Sequence, residues 1–236
     1  MTTIDGRRSA VQIVEEQVRE WSQRDTRRLG PHRKRWPLIT VSREVGAGGG
    51  ELGARLRDRL GFTLWDREVV QAIADESGAD EKMMASLDEQ RRKAVEDAML
   101  GAVMGTRHTN VQYLRSLQRV VRTIAEHGSG IVIGRGANYI CSPNAALKVR
   151  LVCPLEQRVS RLTEKTGMSR RDALALIERT EKKRTDFIRH NFHHDVADSV
   201  HYDLVLNSGV FELEKLVDMI LSAYTVKFGR RPPSRT

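Results

Sequence analysis

Two cysteines, Cys141 and Cys153, are all the thiol in this chain of 236 residues. They are too few for a disulfide scaffold or a four-cysteine zinc site, and both are expected to be reduced. Aromatic residues make up only 5% of the chain. None interleave with the basic stretches, so nucleic acid is not an expected partner. No apolar run approaches the roughly 18 residues that a membrane helix needs. Residues 1–6 lack the basic-then-apolar order of a secretory signal. A cytoplasmic location with no membrane partner is expected.

Charge is abundant: 40 Lys and Arg against 31 Asp and Glu, a net +9. Residues 1–35 hold nine basic and five acidic side chains, and residues 227–236 hold four basic and none acidic. The span 36–226 is left with only +1. The basic excess therefore sits in two ends, where charge is ordinarily solvated.

This divides the chain into an N-terminal helix with a basic linker (1–35), a main domain (36–226) and a basic tail (227–236). Val14, Val18 and Trp21 recur at helical spacing, predicting an amphipathic helix over 9–23. An isolated helix of that length is marginal in water. Its apolar stripe is expected to be covered by its own domain or by the same helix of a second subunit, with a homodimer the favoured arrangement.

In the main domain, Leu38-Ile-Thr-Val-Ser42 reads as a strand buried on both faces. Further strands are expected at 62–65, 131–133, 147–153 and 203–206. Helices are expected at 51–60, 67–77 (capped by Asp66), 80–104, 109–127, 154–165, 169–190 and 211–226. Strands alternating with helices imply an α/β fold, a parallel five-stranded sheet with helices on both faces. Met83, Met84, Met99 and Met104 suit core packing.

The strongest local feature is Val41-Ser-Arg-Glu-Val-Gly-Ala-Gly-Gly-Gly-Glu-Leu-Gly53, set between a buried strand and a helix. Glycines let the backbone approach a ligand, and amides at a helix N-terminus cradle phosphate. Arg43 adds a cation at the loop's edge. Compared with G-x-x-x-x-G-K-[ST], the lysine and hydroxyl positions hold Gly49 and Gly50. Arg135, between Gly134 and Gly136 after a strand, stands where side chains enter the ligand crevice. Residues 158–194, with ten basic and five acidic side chains, read as a lid. Arg158, Arg161, Lys182, Lys183, Arg184 and Arg189 are its candidate cations, able to offset the missing lysine. His190, His193, His194 and His201, with Asp195 and Asp198, fit no standard zinc spacing.

Three segments together resemble the cytidylate kinase-like family, a divergent branch of the P-loop nucleoside monophosphate kinases. They are Ile39-Thr-Val-Ser-Arg-Glu-Val-Gly-Ala-Gly-Gly, Ile131-Val-Ile-Gly-Arg-Gly-Ala-Asn138 and Tyr202-Asp-Leu-Val-Leu-Asn-Ser208. The resemblance covers about 38–226. It implies a P-loop NTPase-type sheet with a helical lid, and transfer of phosphate from ATP, with Mg²⁺, to a nucleoside monophosphate or another small acceptor. By the same resemblance Arg43, Gly46, Ala47, Gly48, Gly49, Gly50, Glu51, Arg158 and Asn207 would bind the donor. Asp66, Arg119 and Arg135 would bind the acceptor, with Arg115 sharing the helix face of Arg119. Arg184, Arg189 and Arg135 would act in catalysis. Metal ligands stay open, Asp66 and Asp203 being weak candidates. The chain departs from the pattern at Gly50, often arginine in the family, and at Gly136, aspartate in cytidylate kinases proper. A non-catalytic nucleotide-binding regulator is the alternative.

Overall fold

Five short, largely apolar runs assemble into one parallel sheet. The computed structural model describes residues 3–4, 8–27, 35–76, 78–103 and 111–233. A small antiparallel ribbon, Thr3–Ile4 with Arg8–Ser9, precedes helix α1, Ala10–Arg27. The sheet strands are β1 (Leu38–Arg43), β2 (Thr63–Trp65), β3 (Gly130–Ile133), β4 (Ala146–Val152) and β5 (Leu204–Asn207), in the order β2-β3-β1-β4-β5. All four neighbouring pairs are parallel. Parallel strands put every carboxyl end on one edge, so the loops after β1 and β3 lie side by side there.

Both sheet faces are covered. Helices α2 (Gly49–Leu60) and α10 (Leu213–Phe228) pack on Ile39, Val41, Ile131, Ile133, Leu147, Val149 and Leu151. On the other face α3 (Arg67–Asp75), α4 (Ala79–Met84), α6 (Val111–His127) and the short α7 (Ala137–Ile140) pack with Leu38, Val132 and Ala146. Alternation along β1 and β4 turns Ser42 and Arg150 away from the α2 side, and the register pairs them. Helices α8 (Leu155–Thr166) and α9 (Arg170–Phe192) make up the segment read above as a lid. Pro154 and Ser169 precede them as expected, Ser169 Oγ accepting from Asp172 N at 3.1 Å.

Three expectations change. The single helix over 80–104 is two, α4 and α5 (Glu89–Val103), because Asp88 starts a new one: its carboxylate accepts from Arg91 N at 3.0 Å. Helix α7 had no periodicity to reveal it. The apolar stripe of α1 is buried within the chain itself, Val14 at 1% and Trp21 at 4% exposure. It packs against α3 and α4, so the surface on which a homodimer was expected is used internally. Met83, Met84 and Met99 are core residues; Met104 and linker residues 28–34 lie outside the described residues. The start of the basic tail is anchored too: the Arg230 guanidinium sits 4.1 Å above the Trp36 ring.

Trp21 docks α1. Its ring stacks on His127 with centroids 3.7 Å apart and lies 5.9 Å from Trp65. The His127 imidazole also shares a 2.8 Å hydrogen bond with Ser86 Oγ. Burial, then Arg35 and Arg91, push the imidazole down to about 3. The unfolded chain titrates His127 near 6.5, so between about 6.5 and 3 it binds a proton that the folded chain refuses. Stability is then lost as pH falls through that window. Urea titrations at pH 7 and pH 4.5 should show this loss, with a shallower pH slope for His127→Gln. Trp21→Ala should cost about 3–5 kcal/mol at pH 7, as for other buried aromatics cut to alanine. A cost below 1 kcal/mol in the same titration would refute the docking of α1.

Candidate active site

After β1 the chain turns sharply through 44–48 into α2. Gly46 has φ +79°, and a Cβ there would lie 2.9 Å from Arg158 O. Gly48, at φ +84°, is the residue before α2 begins. Neither position admits an ordinary side chain without strain. The loop is pinned on its outer side. Glu44 N donates to Leu151 O at 3.0 Å, and the Glu44 carboxylate accepts from Cys153 N at 2.9 Å. Ala47 O accepts from Ser208 Oγ at 2.8 Å, and Arg161 holds Ser208 through its hydroxyl (3.0 Å) and carbonyl (2.6 Å). A fixed loop ahead of a helix N-terminus presents amides and a positive dipole end to an anion.

The neighbouring wall is the turn after β3. Gly134, Arg135 and Gly136 are all left-handed, with φ of +78°, +52° and +69°. Gly134 N donates to Val41 O at 3.0 Å, fastening this turn to β1. Arg135 is one of three non-glycine residues with positive φ among the described residues. Such backbone strain persists where the surroundings enforce it, often at functional sites. Its guanidinium lies 5.7 Å from the Phe187 ring centroid, and its Nε has no hydrogen-bond partner.

The lid closes the third side. Val45 packs into the small apolar core between α8 and α9, with Val159, Ala173 and Ile177. The Glu181 carboxylate accepts from Val45 N at 3.2 Å and pairs with Arg158. Arg184 Nη1 donates to Arg43 O at 3.1 Å. Between loop, turn and lid lies a cavity of about 710 Å³. Seven basic side chains line it, Arg43, Arg67, Arg135, Arg150, Arg179, Lys183 and Arg184, against the acids Glu44, Glu181 and Asp195.

This charge is poorly compensated. Burial, then Arg184 and Arg67, bring the Arg43 guanidinium down to about 9; Glu68 opposes and Arg135 adds to the shift. Burial lowers Arg135 and Arg184 as well, and Arg67 pushes both further down. Arg150 is 7% exposed. Its polar contact is Ser42 Oγ at 3.1 Å, with the Tyr202 ring 5.6 Å away. Clustered cations of this kind make a strong anion site.

The sequence-predicted residues divide. Arg43, Arg135, Arg184 and Lys183 line the cavity, whereas Gly46, Ala47, Gly48, Gly49 and Gly50 are not among its lining residues. Arg158 is tied to Glu181 and to Glu44. Asn207 Oδ1 accepts from Gly209 N at 2.8 Å, shaping the turn after β5. Glu51 pairs with Lys165 on the surface, and Lys182 with Asp186. Arg189 is exposed and does not line the cavity. Asp66 caps α3, accepting from Val69 N at 2.8 Å. Arg119 pairs at 2.8 Å with buried Asp80, away from the cavity lining, and Arg115 is exposed. Arg67, Arg150 and Glu181 were missed. Arg67 follows β2 as Arg135 follows β3, and Arg150 is a charge inside a buried parallel strand; both signals were readable.

The glycine cradle and the unpartnered Nε atoms of Arg135 and Arg184 suit phosphate groups. A magnesium nest built by the protein is another matter. Among the described residues no three His, Cys, Asp or Glu side chains converge to hold a metal. Asp203 accepts from Lys148 N at 2.7 Å, at the amino end of β5, across the sheet from the loop. The His194 and His201 rings lie with centroids 4.0 Å apart, tilted by 48°.

Residues 38–210 match the model of the cytidylate kinase-like family. A cytidylate kinase of Ignicoccus hospitalis is 26% identical over 184 residues, 78% of this chain and 96% of that protein. A uronate isomerase of Corynebacterium glutamicum is 21% identical over 183 residues, 76% of this chain; the chain spans only 35% of that protein's length. An uncharacterised protein of Eubacterium ventriosum has the same fold, with a TM-score of 0.60 at 20% identity, covering 80% of this chain and 98% of that one.

Inorganic pyrophosphate should relieve the arginine cluster. At about 100 times its Kd it should add about 2.7 kcal/mol of stability. That raises Tm by roughly 5–10 °C for a chain of this size. Arg135→Ala should lose most of the rise, and chloride at equal ionic strength should not produce it. Scanning calorimetry reads the difference, and an unmoved Tm in pyrophosphate rejects the anion site.

Proposed function

The chain belongs to the cytidylate kinase-like family, and we propose on that premise that it transfers the γ-phosphoryl group of ATP to a nucleoside monophosphate. One observation carries this reading. Arg43, Arg135 and Arg184 converge without carboxylate partners between a glycine loop and a lid.

The acceptor's phosphate oxygen bonds to the γ-phosphorus as the bond from that phosphorus to the β–γ bridging oxygen breaks. ADP departs with the electron pair. Loop amides from Gly46 to Gly50 hold the donor phosphates, with Glu51 at the loop's outer edge. Arg158 and Asn207 frame that side, Arg158 through Glu181 and Asn207 through the turn after β5. Arg135 and Arg67 face the acceptor phosphate, and Arg184 approaches from the lid. Positioning and charge do most of the work in such transfers. Magnesium would supply charge neutralisation at the donor phosphates. Its coordination would come mainly from the nucleotide and water. Asp66 and Arg119 support this wall through α3 and α4 rather than touching phosphate. Arg189 is assigned no role. A nucleotide partner and a cytoplasmic location belong to the same reading.

A second reading, a non-catalytic nucleotide-binding regulator, draws on Glu181. Its carboxylate sits on a loop amide and on Arg158, a place a phosphate could contest. A coupled ADP-release assay over a panel of nucleoside monophosphates separates the two. The kinase reading requires turnover with at least one acceptor, and ATP binding without turnover favours the regulator. Arg184→Gln should lower kcat by about 10²–10³-fold, the usual cost of one transition-state donor, with ATP affinity changed only a few-fold. Equal losses in affinity and kcat/KM would make Arg184 a ground-state anchor instead.

A further inference from the structure

The position that carries lysine in ordinary P-loops is Gly49, and the space beside it is already taken. A Cβ on Gly49 would fall 2.6 Å from Arg43 Cγ and 3.0 Å from Arg43 Cβ. Real Cβ atoms essentially never approach so closely, so any side chain at 49 must displace Arg43. Farther along, the guanidinium of Arg43 fills the place of a second absent side chain: a Cβ on Gly134 would meet Arg43 Nη1 at 2.1 Å. The Arg43 side chain thus runs from the end of β1, past the first residue of α2, to the turn after β3. Its head lines the cavity with Arg135 and Arg184.

We propose that Arg43 replaces the missing P-loop lysine, delivering its charge to the donor's terminal phosphates from the strand side of the loop, with Gly49 and Gly134 kept bare as its channel. The assignment rests on the phosphotransferase reading for its catalytic part, while its phosphate contact stands independently. Three features support it beyond the clearance. The backbone carbonyl of Arg43 is held by Arg184, so the lid and the surrogate cation are fastened together at 3.1 Å. No described carboxylate forms an ion pair with Arg43, which leaves its charge for a ligand. Gly50, one residue on, has open space around its Cβ position, so the crowding by Arg43 falls on the lysine position and not on its neighbour. A planar guanidinium can grip two phosphate oxygens where an ammonium meets them as a point charge.

The geometry dictates a reciprocal test. Four proteins are compared: wild type, Arg43→Ala, Gly49→Lys, and the double variant Arg43→Ala with Gly49→Lys. ATP and ADP affinities are read by calorimetry, turnover by ADP release, and folding by circular dichroism. Arg43→Ala should weaken ATP at least 10-fold, ADP less, and lower kcat by 10²-fold or more. Gly49→Lys alone should also impair the protein, because the two side chains collide. The double variant, with Arg43 gone and room for lysine, should bind ATP at least 10-fold better than Arg43→Ala and recover turnover. A folded double variant no better than Arg43→Ala overturns the assignment, as does Arg43→Ala with unchanged ATP affinity. Should Gly49→Lys fail to fold, Arg43→Lys takes its place: a surrogate cation predicts partial retention of ATP affinity, and a loss as deep as alanine's counts against it. Wild-type protein without turnover on any acceptor would reject the kinase reading, while the ATP-affinity pattern would still decide the role of Arg43.

Discussion

Positive charge gathered in a confined space is the constraint around which this fold is arranged. Two guanidinium groups about 6 Å apart repel by roughly 3 kcal/mol at an effective dielectric near 20, and this cavity holds Arg43, Arg67, Arg135, Arg150 and Arg184 together. Solvent alone would scatter such side chains. Each is instead rooted where it has little freedom: Arg43 at the end of β1, Arg150 inside β4, Arg135 in a left-handed turn, Arg67 at the start of α3, Arg184 mid-helix in the lid. The parallel sheet makes the convergence possible, because it brings strand ends and helix starts to one edge. Two apolar cores, one on each sheet face, supply the stability that the cluster subtracts.

The lid is not an independent flap over this charge. Val45 belongs to the glycine loop by sequence but to the lid's core by packing. Glu181 belongs to the lid but bonds the Val45 amide, and Arg158 links both to Glu44. Moving α9 would strip Val45 of its apolar neighbours and free a loop amide in the same event. Loop shape and lid position therefore share one set of contacts. An anion placed at the loop would compete with the Glu181 carboxylate for the Val45 amide and Arg158.

The sheet was legible because its strands are short apolar runs bounded by glycine, proline or a capping residue, as with Leu38–Arg43. The glycine loop was legible for a chemical reason, since few other roles demand four glycines in five residues. Arg135 and Arg184 were found through position, one after a strand and one in a basic helix. The harder features depend on partners far away in sequence. The α1 stripe looked free because nothing near it in the chain announces His127 or Trp65. Arg119 looked available until Asp80 appeared beside it, 39 residues earlier. Asp66 and Asp203 looked like possible ligands, but each spends its carboxylate on a backbone amide.

Glycine positions in this site gain their meaning in pairs. The bare place at Gly134 is filled by Arg43, and the one at Gly46 by the backbone of α8 at Arg158. At Gly136, where cytidylate kinases proper place an aspartate, a Cβ would meet the Phe192 ring at 2.3 Å. Phe192 in turn stacks on Tyr139, at 5.4 Å, and packs edge-on against Phe187, the ring beneath Arg135. An aspartate cannot enter at 136 without displacing that ring, which packs against the one beneath Arg135. The absent carboxylate and the aromatic floor are therefore one structural choice. The Arg135 guanidinium is thus seated on an aromatic ring, and among the described residues no carboxylate forms an ion pair with it.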